Sequence, residues 1–161
     1  MPDAWDTSVA SQAAGRHTER LRSHLSTGAR IPIPAPTVQE ITRGIAARTA
    51  CDPAFALRMR WFAVLLRHQL VDIVPLGRQG AVLAGYLLAR HPHAPTRNHR
   101  RPGSRAQQRA AWALDVQIAA CAFAGGYGVL TENVDDFALL RDAIAELLPK
   151  TKPLAVTDAR L

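Results

Sequence analysis

Long apolar runs are missing from this sequence. The best stretch, residues 116–130, is shorter than the roughly 18 needed to cross a bilayer as a helix and contains Gln117. Cysteine is scarce. Cys51 and Cys121 stand alone, with no CxxC pair, so a disulfide scaffold and a structural zinc finger are both excluded. Lysine is almost absent, with 2 Lys against 18 Arg among the 20 basic residues. The opening residues, MPDAWDTS, contain acids and no apolar leader core. A reducing, cytoplasmic setting without a membrane anchor is therefore expected.

What is present is one domain's worth of chain. The 161 residues suffice for a single core, and the 48% hydrophobic content argues against disorder, although 29 residues are alanine. Charge is unevenly spread. No acid lies between Asp72 and Asp115, yet that span holds Arg78, Arg90, Arg97, Arg100, Arg101, Arg105 and Arg109. These seven account for the whole net charge of +7. An acid-free arginine cluster suits a polyanion, because guanidinium binds phosphate bidentately. The composition alone is equally explained by a GC-rich genome.

Hydrophobic periodicity outlines the elements. Residues 16–25 read as a helix or helix-like loop. The alternation Ile31, Ile33, Ala35 reads as a strand interrupted by Pro32, Pro34 and Pro36. Backbone groups of alternate residues point to opposite edges, so this strand is expected to pair well on one side only. Helices are expected at 38–49, opened by Thr37, and at 53–69, 78–90, 104–124 and 135–148. Strands are expected at 71–76, 128–131 and 154–157. A basic, Pro-rich segment occupies about 91–109. Strands alternating with helices predict an α/β fold, an α/β/α sandwich around a mostly parallel sheet.

Four carboxylates draw attention, although each has an ordinary explanation. Asp6 follows a short apolar patch and could cap a turn or helix. Glu40 completes the capping-box spacing Thr37-x-x-Glu40. Asp115 lies beside the apolar stripe of Leu114, Ile118 and Cys121, where an unpaired buried charge would be costly. Asp136 stands three residues after Asn133, a good cap. Together they suggest more. Asp6, Glu40 and Asp136 each follow a predicted strand or its turn, and such turns gather at the carboxyl edge of a parallel sheet. Acids crowded there repel one another, and oxygen-only ligands suit Mg²⁺ or Mn²⁺ rather than Zn²⁺.

The ordered blocks Asp6-Thr7-Ser8, Thr37-Val38-Gln39-Glu40, Leu114-Asp115 and Thr131-Glu132-Asn133-Val134-Asp135-Asp136-Phe137 resemble a PIN-domain ribonuclease. The likeness is greatest to VapC-type toxins of bacterial toxin–antitoxin pairs, and it extends in blocks from about Asp6 to Leu148. It implies a PIN-like sandwich, Mg²⁺- or Mn²⁺-dependent RNA cleavage and a small neutralising antitoxin partner; such folds often pair as homodimers through a helical face, but the sequence does not fix the oligomeric state. By motif match, Asp6, Glu40, Asp115 and Asp136 would be the catalytic and metal-binding acids. Thr7, Ser8, Thr131 and Asn133 would support them. The N-x-x-D-F frame selects Asp136 over Asp135. Arg97, Arg100, Arg101, Arg105 and Arg109 would contact RNA or the partner. Fewer apolar residues precede Asp6 than the family usually has, and the prolines before Glu40 fall where the family places an internal strand.

The rival reading is a non-catalytic protein whose acids cap helices and whose arginines bind nucleic acid or an antitoxin. Other chemistries find little support. His91, His93 and His99 lack metal-ligand spacing, no nucleophile elbow is present, and neither glycine cluster ends in G-K-[ST]. Trp61, Phe62 and Trp112 read as core rather than as base-stacking platforms.

Overall fold

The computed structural model describes residues 2–13, 19–94 and 104–160. Five short strands and seven helices alternate in it: β1 (Asp3–Trp5), α1 (Thr7–Ala13), α2 (Glu19–Ser26), β2 (Ile31–Pro34), α3 (Ala35–Thr49), α4 (Ala54–Leu66), β3 (Val71–Val74), α5 (Arg78–Arg90), α6 (Arg105–Ala124), β4 (Gly128–Thr131), α7 (Val134–Leu147) and β5 (Val156–Asp158). Every ladder is parallel. β4 lies between β1 and β5, and β2 pairs with β3.

The prolines explain why the ladders form two groups. The Ile31 N–H donates to the Leu70 carbonyl, so Ile31, and by alternation Ile33, face β3. Pro32 and Pro34 face the opposite edge, where β1 lies alongside without a ladder. Proline has no N–H to offer there. One-sided pairing is what the sequence leads one to expect.

Helices cover both faces, and the strands sort their side chains between two cores. Ala4 and Val129 join Leu83, Leu87, Trp112, Val116, Leu140 and Ile144 of α5, α6 and α7. Trp5, Ile31 and Ile33 join Val9, Leu21, Ile41, Ile45, Phe62 and Leu65 of α1 to α4. That alternation within β1, Ala4 to one side and Trp5 to the other, makes it a central strand buried on both faces. A sandwich of this kind is the expected α/β/α class.

Several boundaries differ from the sequence expectation. α3 begins at Ala35, directly off β2, with Pro36 in its first turn and no side-chain cap. Proline tolerates that turn because its N–H would have had no helical partner. Thr37 is therefore inside the helix and does not open it. α4 stops at Leu66, so Gln69 lies beyond it. α1 has no counterpart among the expected elements; its seven residues are too few to show a helical period. Of the expected helix over 16–25, residues 16–18 lie outside the described set, and α2 covers the rest. Phe62 and Trp112 are core residues, but Trp61 is 40% exposed, its indole N–H donating to the Ala13 carbonyl at the end of α1. Gly126, at φ +75°, makes the turn from α6 into β4 in a conformation that side chains rarely adopt. Among the described residues, no helix is long and apolar enough to cross a membrane.

Candidate active site

β1 ends at Trp5, and Asp6 emerges at the carboxyl edge, its N–H donating to the Leu130 carbonyl of β4. Both carboxylate oxygens are engaged. Oδ1 accepts from the Ser8 hydroxyl at 2.6 Å and from the Val9 N–H at 3.1 Å. Oδ2 accepts from the Thr131 hydroxyl, at the end of β4, at 2.6 Å. The bond from Val9 makes Asp6 the cap of α1, so its ordinary reading holds as well. Its partners are hydroxyls and a backbone N–H, none of them a cation. Asp6 is 4% exposed. Burial pushes its carboxyl up from the ordinary value of 3.8, and the Ser8 and Thr131 hydroxyls and the Val9 and Ser8 N–H groups draw it part of the way back.

The turn after β4 extends this arrangement. The Asn133 N–H donates to Thr131 Oγ1 at 2.9 Å, and the Asn133 amide donates to Asp136 Oδ2 at 2.7 Å. A hydrogen-bond chain thus runs from Asp6 through Thr131 and Asn133 to Asp136. Asp136 is fully buried while Asp135 is exposed. Ser8 Oγ also accepts the Glu132 N–H at 3.1 Å, and Glu132 Oε1 accepts from the Gln12 amide. Neither Gln12 nor Glu132 was singled out from sequence, although Glu132 lies inside the Thr131–Asn133 block.

Glu40 enters from α3. Its Oε2 accepts from the Thr7 hydroxyl at 2.6 Å. This corrects the capping-box explanation. With the helix starting two residues before Thr37, Glu40 has no cap to close, and its carboxylate instead reaches across to the first residue of α1. A capping box does form at Ser104 and Gln107, which opens α6. Thr37 is left fully buried, with its hydroxyl unpartnered.

Asp115 sits midway along α6, half-buried at the margin of the face carrying Trp112, Val116, Ile118 and Ala119. The hydrogen bonds named above join Asp6, Glu40 and Asp136 to Thr7, Ser8, Thr131 and Asn133; none of them includes Asp115. Among the described residues, no group of three His, Cys, Asp or Glu side chains stands close enough to hold a metal ion. In kind, the donors fit a hard divalent cation: carboxylates and hydroxyls only, with a buried Asp6 charge met by neutral partners. Of the five arginines, Arg97, Arg100 and Arg101 lie outside the described residues. Arg105 and Arg109 are exposed one turn apart at the start of α6, on a helix rather than a loop.

No family model matches this sequence, and no curated protein matches it. Solved structures do. VapBC2 from Rickettsia felis, bound to a promoter DNA fragment, contains a chain that superposes with a TM-score of 0.64 at 14% identity, with 98% of each chain covered. VapBC-1 from nontypeable Haemophilus influenzae gives 0.63 at 16% identity over the whole of both chains. DNA-bound VapBC from Salmonella typhimurium gives 0.57 at 16% identity, with 99% of each chain covered. The fold is PIN-like. At such identities the likeness concerns the path of the chain, and the chemistry rests on the side chains described above.

Proposed function

We propose that this chain is a metal-dependent endoribonuclease that acts as the toxin of a toxin–antitoxin pair. The observation that supports the reading is the hydrogen-bonded chain from Asp6 through Thr131 and Asn133 to Asp136 at the carboxyl edge, with Glu40 bonded to Thr7, the residue next to Asp6. Asp6, Glu40 and Asp136 come from three separate parts of the sequence, and Thr7, Thr131 and Asn133 hold their carboxylates by hydrogen bonds at the ends of β1 and β4. Burying the Asp6 carboxyl among neutral partners disfavours its charged form, a cost that an Asn cap at the same position would avoid. The PIN-like fold and the VapBC complexes that share it support the toxin role and the antitoxin partner.

Asp6, Glu40, Asp115 and Asp136 would hold Mg²⁺ or Mn²⁺. Bound there, the ion would lower the pKa of a water and offset charge on the scissile phosphate. Thr131 and Ser8 orient the Asp6 carboxylate, Thr7 orients Glu40, and Asn133 orients Asp136. Fixed orientation lets a carboxylate receive a proton, or bind a cation, without reorganising during the reaction. Exposed Arg105 and Arg109, with the arginines of 97–101, supply phosphate contacts that place RNA without selecting its sequence.

The deciding experiment incubates the purified chain with total bacterial RNA in Mg²⁺ or Mn²⁺, with and without EDTA, beside Asp115→Asn. Cleavage that EDTA and the substitution each abolish, with the circular dichroism of the variant unchanged, is the expected result. RNA left intact by the wild-type chain in both metals would leave the rival reading, a non-catalytic nucleic-acid- or antitoxin-binding protein.

A further inference from the structure

Arg160 belongs to none of the groups considered so far. The Ala159 N–H donates to the Thr131 carbonyl at 2.8 Å, which docks the end of β5 against the end of β4. One residue on, the Arg160 side chain folds back onto Asp158. Its Nε donates to Oδ1 at 2.9 Å and its Nη2 to Oδ2 at 2.8 Å, while the Arg160 N–H adds a bond to Oδ1 at 2.9 Å. Asp158 contributes most to stabilising the guanidinium's charge, and Asp135 and Glu132 add smaller electrostatic contributions. Glu132 is the residue whose N–H meets Ser8 Oγ, and Ser8 in turn donates to Asp6.

We infer that Arg160 is a phosphate-binding residue of the site, taking the backbone of single-stranded RNA as it crosses the carboxyl edge. The inference rests on the nuclease reading above. Three observations carry it. Asp158 grips the Nε/Nη2 edge of the guanidinium and, among the described residues, leaves Nη1 and the second Nη2 hydrogen available, a second fork of the kind that binds phosphate. The side chain is 60% exposed, so the ion pair adds little to the fold, and its consequence is to fix a cation in place. The Asp158 carboxylate balances the Arg160 charge, so what Arg160 offers a phosphate next to the carboxylate site is a pre-oriented pair of N–H donors. Holding the side chain before RNA arrives also removes part of the ordering cost of binding.

The test measures affinity of the full chain for a short labelled single-stranded RNA by fluorescence anisotropy across a salt series in EDTA, then cleavage kinetics in Mg²⁺ or Mn²⁺. Arg160→Gln is expected to weaken binding several-fold and to reduce the slope of log K against log salt by about 0.7, one phosphate contact. KM should rise with kcat within about twofold, because the chemistry is untouched. Arg160→Lys should recover most of the slope but only part of the affinity, and Asp158→Asn should weaken binding without changing the thermal midpoint. A bare structural brace would move the midpoint and leave the salt slope alone. An unchanged slope in Arg160→Gln overturns the inference, as does a wild-type chain that binds no RNA. A variant that keeps RNA affinity but loses a protein partner overturns it in favour of peptide docking. Binding in EDTA that depends on Arg160, without cleavage in either metal, would retain the inference and overturn the nuclease reading alone.

Discussion

Replacing Asp6 separates catalysis from stability in a way the structure quantifies. Asp6→Asn keeps the cap, since Asn caps helices as well as Asp does. Its carboxamide oxygen can accept from Val9 and Ser8, and its amide can donate to the Thr131 hydroxyl. What disappears is a buried charge. Burial raises the carboxyl's pKa in the folded chain, so the neutral form is the one that folding favours. The sign follows by linkage. Below 3.8 both states are protonated; as pH rises the unfolded carboxyl ionises first, and stability falls until the raised folded value is passed. Wild type therefore loses stability across that window and Asp6→Asn does not. Asp6→Ala also sheds the charge but loses the cap, about 1 kcal/mol, and strips the fully buried Thr131 hydroxyl of its acceptor, about 1–3 kcal/mol. The two variants should thus differ by roughly 2–4 kcal/mol, or roughly 4–16 °C in thermal midpoint for a chain of this size. Thermal unfolding from acid to neutral pH, beside RNA cleavage, provides the assay. The expected order at neutral pH is Asp6→Asn at or above wild type and Asp6→Ala below Asp6→Asn, with both variants inactive. Equal midpoints for the two variants, or a wild-type deficit against Asp6→Asn that fails to narrow in acid, would refute the reasoning.

Other substitutions test separate links. Glu40→Gln can still accept from the Thr7 hydroxyl, so its thermal midpoint should stay close to wild type while cleavage falls by orders of magnitude; full turnover would remove Glu40 from the chemistry. Thr37→Val discards a buried hydroxyl that bonds to nothing and should be neutral or stabilising by up to about 1 kcal/mol, read by denaturant midpoint; a clear loss would show that the hydroxyl has a partner. Gly128→Ala should destabilise by about 1–3 kcal/mol, because its Cβ would lie 2.2 Å from Asp3 Oδ1 and 3.0 Å from the Ala155 Cβ. The Asp3 side chain can swing away, at the expense of its bond from Thr157, but the Ala155 contact yields only if β5 shifts; an unchanged midpoint would mean that it shifts freely.

The site was partly legible beforehand because short-range chemistry is written locally. Asp6-Thr7-Ser8 and the Thr131–Phe137 block each contain a carboxylate and its supporting hydroxyl or amide within a few residues, and the structure closes the bonds Ser8 to Asp6 and Asn133 to Asp136. The capping-box reading of Glu40 failed for a related reason. The spacing was right, but Pro36 occupied a first helical turn that the periodicity had placed later, which moved the helix start to Ala35. Trp61 failed on exposure: its spacing resembles that of a core residue, yet only its N–H is anchored, to Ala13.

Sequence by itself determined the α/β class, the parallel arrangement and the pairing edge of the Ile31–Pro34 strand, because periodicity and the missing proline N–H act along the chain. It also determined that carboxylates stand at four separate places, Asp6, Glu40, Asp115 and Asp136. Tertiary structure alone decided who meets whom. The contacts of Thr131 with Asp6 and of Thr7 with Glu40 span 125 and 33 residues, and Arg160 reaches the rim only because β5 docks beside β4. No local pattern encodes such distances. They follow from helices packing on both faces of a sheet, which brings the strand ends together at one edge and buries Asp6 there, where its charge has chemical consequences.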